Sequence, residues 1–323
     1  MRAIVVKTLG QDPEWGQSPD PVPGPGEVLV RIAAAGLNFA DLLMIEGRYQ
    51  VRPPLPFVPG LEAAGTVIAL GPGTQAPAVG SRVMVIGGEG TLAELAAVPA
   101  ERCLPIPETM DFATAAAFPV AYGTSHLALT RRARLEPEET LLVLGAAGGV
   151  GLTAVEIGHA MGARVIAAAR GAAKLEVARA AGADHLIDSG SEDLREAVKA
   201  LGGCDVVYDP VGGDLFTAAL RACRPEARIL TIGFASGTVP PVPANILLVK
   251  NVSVLGFYWG GYMAFNPAAV TESLAQLTAW HTLGRLKPHI SHLLPPERLD
   301  EGLAAMRGRT STGKIVIRFT DEE

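Results

Sequence analysis

A chain of 323 residues is long enough for two domains and for a large core that needs no disulfides. With 49% hydrophobic and 19% charged residues it has the balance of a folded globular protein, which excludes a disordered or fibrous one. A net charge of −6, with no basic stripe or Lys/Arg-rich tail, argues against nucleic acid and against an anionic membrane surface as partners.

The first residues, Met-Arg-Ala-Ile-Val-Val-Lys, read as a strand and lack the apolar stretch of a signal peptide. No apolar run reaches the ~20 residues of a membrane span. A cytoplasmic location is therefore expected. The three cysteines, Cys103, Cys204 and Cys223, are far apart and have no C-x₂-C spacing, so they read as buried small hydrophobes rather than zinc ligands. Arg outnumbers Lys and Pro reaches 25, which fits a GC-rich genome as well as a heat-adapted one.

Up to about residue 107 the chain shows short β-like runs at 3–6, 28–32, 65–70 and 82–86. They are broken by Pro-Gly-Pro-Gly at 23–26 and Gly-Pro-Gly at 71–73. Strands at this spacing predict a compact, barrel-like β domain, interrupted by one helix at 39–45. From about residue 111 the pattern turns helical, at 113–117 and 123–130. Strands then alternate with helices. The strands fall at 140–144, 164–168, 185–187, 205–208, 228–232 and 252–257, and the helices between most of them include 152–161, 174–181 and 194–201. Six strands in this alternation predict a doubly wound parallel sheet. A helix at 268–283, a short one at 299–306 and a β-like stretch at 314–319 complete the chain. The last strand can rejoin the N-terminal β domain, which makes the α/β domain an insertion: residues 1–118 with 258–323 around 119–257.

The strongest local signal is Leu141-Leu-Val-Leu-Gly145-Ala146-Ala-Gly148-Gly149-Val150-Gly151. An apolar strand runs into four glycines, and an amphipathic helix follows. Glycine lets the backbone turn sharply and approach a pyrophosphate, and the helix N-terminus offers N–H groups and a positive dipole end. The spacing is G-x-x-G-x-x-G rather than G-x-G-x-x-G, and a purely structural turn is the other reading. An NAD site places Asp or Glu at the end of the second strand to bind the ribose hydroxyls. Here that strand ends on Arg170, with Lys174 one helical turn later. Two cations suit the 2′-phosphate of NADPH. The other reading makes them solvated surface charges.

Several segments together resemble one family. They are Pro25-Gly-Glu-Val-Leu-Val-Arg-Ile, Ala35-Gly-Leu-Asn38-Phe-Ala-Asp41, Pro59-Gly-Leu-Glu-Ala-Ala-Gly65, Ala146-Ala-Gly-Gly-Val-Gly and Thr312-Gly-Lys-Ile-Val. The sequence resembles the zinc-independent quinone oxidoreductases of the medium-chain dehydrogenase/reductase superfamily, over essentially its whole length and in the same motif order. The resemblance implies a GroES-like catalytic domain, an inserted Rossmann domain, NADPH in the cleft between them and a homodimer joined through the sixth strand. It also implies NADPH-dependent reduction of quinones or related α,β-unsaturated carbonyls. Zinc-containing relatives carry a Cys near the position of Asn38, a His near Leu61 and a later cluster of four cysteines, none of which this chain has. The pair His289 and His292, between Pro288 and Pro295, reads as a surface loop.

Candidate site residues follow from the same resemblance. Asn38 is placed beside the nicotinamide, with Asp41 and Tyr49 lining the active site; helix capping is the other reading of Asn38 and Asp41. Thr124 resembles a cofactor-contacting threonine. Ala146, Gly148, Gly149, Val150 and Gly151 form the phosphate turn. Val211 and Gly233-Phe234-Ala235 end strands where doubly wound sheets place ligands. Phe257 and Trp259, in the densest aromatic cluster, border the nicotinamide or else form a packed hinge or dimer seam. Lys314 reaches the cofactor from the last strand, or is an ordinary exposed lysine. One departure concerns Ile187-Asp188-Ser189, where the family often has a cofactor-stacking Tyr in place of Ser189. Enoyl-thioester reduction and a non-catalytic NADPH-binding role are the competing functions. No Ser-His-Asp or paired-carboxylate signature argues for hydrolysis.

Overall fold

The computed structural model describes residues 1–320. The chain divides into two units: Met1–Val120 together with the stretch from Pro288 onward, and Ala121–Lys287. Residues 258–287 belong to the second unit, not to the first as the sequence boundary at 257 had it. The reason is burial. The long helix in this stretch sinks Val270, Leu274 and Leu277 into the second unit, and its Ser273 hydroxyl bonds the buried His126 ring at 2.8 Å.

The first unit begins with a ribbon of β1 (Arg2–Val5) and β2 (Glu14–Gln17). The spine of its main sheet is β3 (Glu27–Leu37), in which Val28, Val30 and Ile32 alternate inward with the two-residue period of a strand. Residues 33–37 are buried on both faces. After β3 come α1 (Phe39–Ile45), β4 (Glu62–Leu70), β5 (Arg82–Ile86), β6 (Leu95–Pro99), β7 (Cys103–Pro105) and α2 (Phe112–Ala116). Gly36 is a glycine because α2 crosses it: a Cβ there would lie 2.5 Å from the Ala116 carbonyl. The short strands and the helix at 39–45 match the sequence expectation.

Next, α3 (Pro119–Leu127) leads into the second unit. There follow β8 (Thr140–Leu144), α4 (Gly149–Ala160), β9 (Arg164–Ala169), α5 (Ala172–Ala180), β10 (His185–Asp188), α6 (Leu194–Ala200) and β11 (Cys204–Asp209). Then come α7 (Gly213–Ala222), β12 (Cys223–Thr231), α8 (Ala244–Lys250), β13 (Ser253–Gly256), α9 (Trp259–Phe265) and α10 (Pro267–Thr282). The six strands pair in the order β10-β9-β8-β11-β12-β13, all parallel. This is the expected doubly wound sheet, with its switch point beside β8.

The chain returns to the first unit through β14 (Ile290–Leu294), α11 (Leu299–Arg307) and β15 (Lys314–Arg318). As expected, the last strand rejoins the β domain: β15 runs antiparallel to β3, with Ile315 opposite Leu37. His292 is not in a loop, as its flanking prolines suggested; it sits in β14, paired with Ile315. The core of this unit gathers Val28, Val30, Ile32, Leu42, Leu294, Leu303, Ile315 and Ile317. A separate core, including Leu142, Leu144, Ile166, Val207 and Ile229, lies in the second unit. Among the described residues no helix is long and apolar enough to cross a membrane.

Candidate functional site

The glycine turn between β8 and α4 is built by close backbone contacts. Gly145 has φ +60°, and a Cβ on it would meet Val211 Cγ2 at 2.9 Å. The Gly148 N–H donates to the Gly145 carbonyl at 2.9 Å and closes the turn. A Cβ on Gly151 would lie 2.2 Å from the Gly145 carbonyl, so the helix can start this close to the strand only with glycine there. A Cβ on Gly148, in contrast, would touch only the Gly145 carbonyl at 3.4 Å and otherwise face open space. That bare face lies at the first turn of α4, where the N–H groups of Gly149, Val150 and Gly151 have no intrahelical acceptor. Ala146 is fully buried beneath. An extended phosphate diester fits this cradle, and the helix dipole favours its charge.

The neighbouring strand ends are tied to the turn. Arg170 is exposed at the end of β9, and Lys174 is half-buried in the first turn of α5. No carboxylate ends β9. Asp188, the last residue of β10, accepts the N–H groups of Gly171 and Gly190, and the Ser189 N–H donates to the Ala169 carbonyl at 3.0 Å. Beyond β11, Asp209 accepts the N–H groups of Val211 and Gly212, each at 2.8 Å; burial raises its pKa. The Ala235 N–H donates to the Pro210 carbonyl at 3.0 Å, which stitches the loop Gly233-Phe234-Ala235 to the loop of Val211. The structure thus brings the turn, Arg170, Lys174, Ser189, Val211 and Gly233–Ala235 to the carboxyl ends of one sheet.

Thr124 is buried on α3. Phe257 and Trp259 are each 8% exposed. Phe257 packs on Tyr262 with ring centroids 5.5 Å apart, and the Trp259 indole covers Gly123, where a Cβ would meet it at 2.8 Å. Both rings are packed rather than open: Phe257 follows β13 directly, and its N–H donates to the Thr231 carbonyl at 3.1 Å.

The first unit holds a buried polar centre. Lys314, the first residue of β15, is 4% exposed. Its ammonium donates to Glu62 Oε1 at 2.7 Å, Asn38 Oδ1 at 2.7 Å and the Leu37 carbonyl at 2.8 Å. All three of its N–H bonds are therefore spent. Lys314 is not the exposed lysine that one reading of the sequence had; its ammonium is bonded within this centre. The Asn38 amide is equally committed, donating to Glu62 Oε1 at 2.9 Å and the Gly36 carbonyl at 3.3 Å. Glu62 accepts the Val120 N–H at 2.8 Å on its other oxygen. Gly36 makes room, since a Cβ there would lie 2.6 Å from Glu62 Oε1.

Asp41 completes the centre. It sits at the third position of α1 and accepts the Asn38 N–H at 2.8 Å, so it caps the helix as one reading of the sequence had it. Its second oxygen accepts the Gly60 N–H at 3.1 Å. Complete burial pushes the Asp41 carboxyl up to about 7, Glu62 adds to the rise, and the two N–H bonds and Lys314 oppose it. Two carboxyls facing one ammonium leave a surplus negative charge, which a proton on Asp41 removes. Tyr49 follows α1 with its ring half-buried against the core.

This donor set does not fit a catalytic zinc. Where zinc-containing relatives offer a thiolate and an imidazole, this chain has an amide, Asn38, and a leucine, Leu61. Glu62 is already paired with the Lys314 ammonium. Among the described residues no group of three or more His, Cys, Asp or Glu side chains is placed to hold a metal. Glu62 was visible in the sequence as a lone charge in an apolar strand, and Lys314 as the charge opening one; nothing in either segment named the other as partner.

Removing one partner of a buried ion pair strands the other. Lys314→Met should lower stability by about 3–5 kcal/mol in chemical denaturation. The double variant K314M/E62Q should recover a large part of that loss; a double variant as unstable as the sum of the singles would contradict the pairing. Asp41 supplies a pH test. A carboxyl whose folded pKa lies above its unfolded one holds its proton more tightly when folded. Its stabilising contribution is present at acid pH and is lost as the pH rises from 3.8 to about 7. Asp41→Asn lacks that loss, so its stability relative to the parent should climb across this window. A flat difference would show that Asp41 does not titrate there.

Comparison with known proteins agrees with this architecture. Residues 24–108 match the family model described as the alcohol dehydrogenase GroES-like domain, and residues 149–277 match the zinc-binding dehydrogenase model. Quinone oxidoreductase-like protein 2 of Bos taurus is 40% identical over 304 residues, covering 93% of this chain and 87% of the relative. The quinone oxidoreductase of Thermus thermophilus, solved also as its complex with NADPH, superposes with a TM-score of 0.86 at 36% identity, covering 99% of this chain and 100% of the other. The Escherichia coli quinone oxidoreductase complexed with NADPH gives 0.91 at 27% identity, with 99% and 100% covered. With both units matched in order and relatives aligned nearly end to end, the chain belongs to the quinone oxidoreductases of the medium-chain dehydrogenase/reductase superfamily.

Proposed function

We propose that the chain catalyses the NADPH-dependent reduction of quinones or related α,β-unsaturated carbonyls, by direct hydride transfer and without zinc. The observation that carries this reading is the glycine cradle at the start of α4, flanked by an exposed Arg170 and by no carboxylate at the end of β9. The acceptor class is supported by the names of the relatives, and the cofactor by the NADPH complexes of the Thermus and Escherichia coli enzymes.

When bound, the cofactor supplies a hydride from C4 of its nicotinamide ring. The N–H groups of Gly149, Val150 and Gly151 bind the pyrophosphate, and Arg170 with Lys174 binds the 2′-phosphate. Ser189, Val211 and the loop Gly233-Phe234-Ala235 border the same edge. In the first unit Asn38 orients rather than donates, because both its amide protons are already used. Lys314 has no N–H to give, and Asp41 is sealed from solvent. The proton that completes the reduction is therefore assigned to water. We also assign a homodimer, joined at β13: this edge strand pairs only with β12 among the described residues, and Leu248 and Val249 beside it are 78% and 76% exposed. Sedimentation as a monomer would remove that part of the reading.

Purified protein should oxidise NADPH when an ortho-quinone is added. Turnover with enoyl thioesters alone would replace the quinone assignment, and tight NADPH binding without turnover of any carbonyl would replace the enzyme. Alanine at both Arg170 and Lys174 should weaken NADPH binding by roughly tenfold or more while sparing NADH. Equal losses for the two cofactors would contradict the 2′-phosphate role.

A further inference from the structure

Arg170 ends β9 on a backbone that turns immediately, at Gly171 with φ +80°, before α5 begins. The hold on this turn comes from the neighbouring strand. Asp188 Oδ1 accepts the Gly171 N–H at 3.0 Å and the Gly190 N–H at 2.9 Å. The Asp188 backbone is itself fixed by its N–H bond to Glu192 Oε1 at 2.7 Å. The stem of Arg170 lies across Gly190, where a Cβ would be 3.7 Å from Arg170 Cγ and 4.0 Å from its Cβ. One carboxylate oxygen thus fastens both the peptide that follows Arg170 and the peptide its side chain crosses. The two N–H bonds hold the Asp188 carboxyl below its ordinary range, and they offset the charge it would otherwise present to a nearby phosphate.

We infer that Asp188 is a positioning residue: by pinning Gly171 and Gly190 it fixes the direction in which Arg170 leaves β9, and so sets the preference for a cofactor bearing a 2′-phosphate. This rests on the assignment of Arg170 to that phosphate made above. Both bonds go to a single oxygen, so an amide oxygen can take its place. Asp188→Asn therefore keeps the pin while removing the charge, and Asp188→Ala removes both.

The test is the Kd for NADPH and for NADH, measured by direct binding to D188A, D188N, R170A and the parent. D188A should raise the Kd for NADPH about tenfold and leave that for NADH within about threefold. D188N should stay close to the parent for both. Unchanged NADPH affinity in D188A overturns the inference. So does a loss in D188N as large as in D188A, which would make the charge and not the pin responsible, and so does an equal loss of NADH affinity, which would make the role merely structural. R170A separates the two assignments. An unchanged NADPH-to-NADH ratio in R170A overturns the 2′-phosphate reading itself. A collapsed ratio in R170A beside a normal one in D188A overturns only the positioning role.

Discussion

The first unit is organised around one buried ammonium group. Lys314 enters on the last strand, meets Glu62 on β4 and Asn38 at the start of α1, and places all three of its N–H bonds. Burying such a group is costly unless every donor is met, and here every donor is. The geometry that meets them is strict. Gly36 must lack a side chain for Glu62 to fit, and Glu62 must reach past it to the Val120 N–H. The return of the C-terminal strand to β3 is thus more than topology, because it carries the cation that the interior of the β domain requires.

The same centre decides what the unit can do chemically. A lysine ammonium already neutralises Glu62, and this chain has an amide at Asn38 and a leucine at Leu61. What remains is a rigid polar platform whose protons are spoken for, with the Asp41 carboxyl balanced near neutrality by burial. In the proposed reaction the part of such a platform is to orient the reactants and exclude water. The second unit contributes by different means. Its polar side chains serve the backbone: Asp209 holds two N–H groups of the loop that follows it, and Asp188 holds one of the loop that follows it and one of the loop after β9, so the loops stand where a phosphate can be met by backbone, helix dipole and arginine.

Much of this was legible in the sequence because periodicity and glycine placement are local properties. The six parallel strands, the turn at 145–151, the helix at 39–45 and the closing strand all follow from runs of a few residues. The burial of Lys314 was not legible, since a lysine opening an apolar strand looks the same whether it faces solvent or a glutamate 252 residues away. α7 was hidden because it starts on Gly212 and Gly213, which read as loop, and α8 because it follows a proline-rich stretch and buries little of itself. The unit boundary was misplaced for a related reason. The surface that α10 covers belongs to α3, far upstream, and no local signal records that. The bond from Asp188 to the Gly171 N–H was equally invisible, being to a backbone group on another strand's loop.

The zinc content of the purified, active protein tests most directly whether the reaction proceeds without a metal. Turnover of NADPH with a quinone should proceed in preparations holding far less than stoichiometric zinc, and a strong chelator should leave the rate unchanged. Stoichiometric zinc whose removal abolishes turnover, and whose return restores it, would contradict the account.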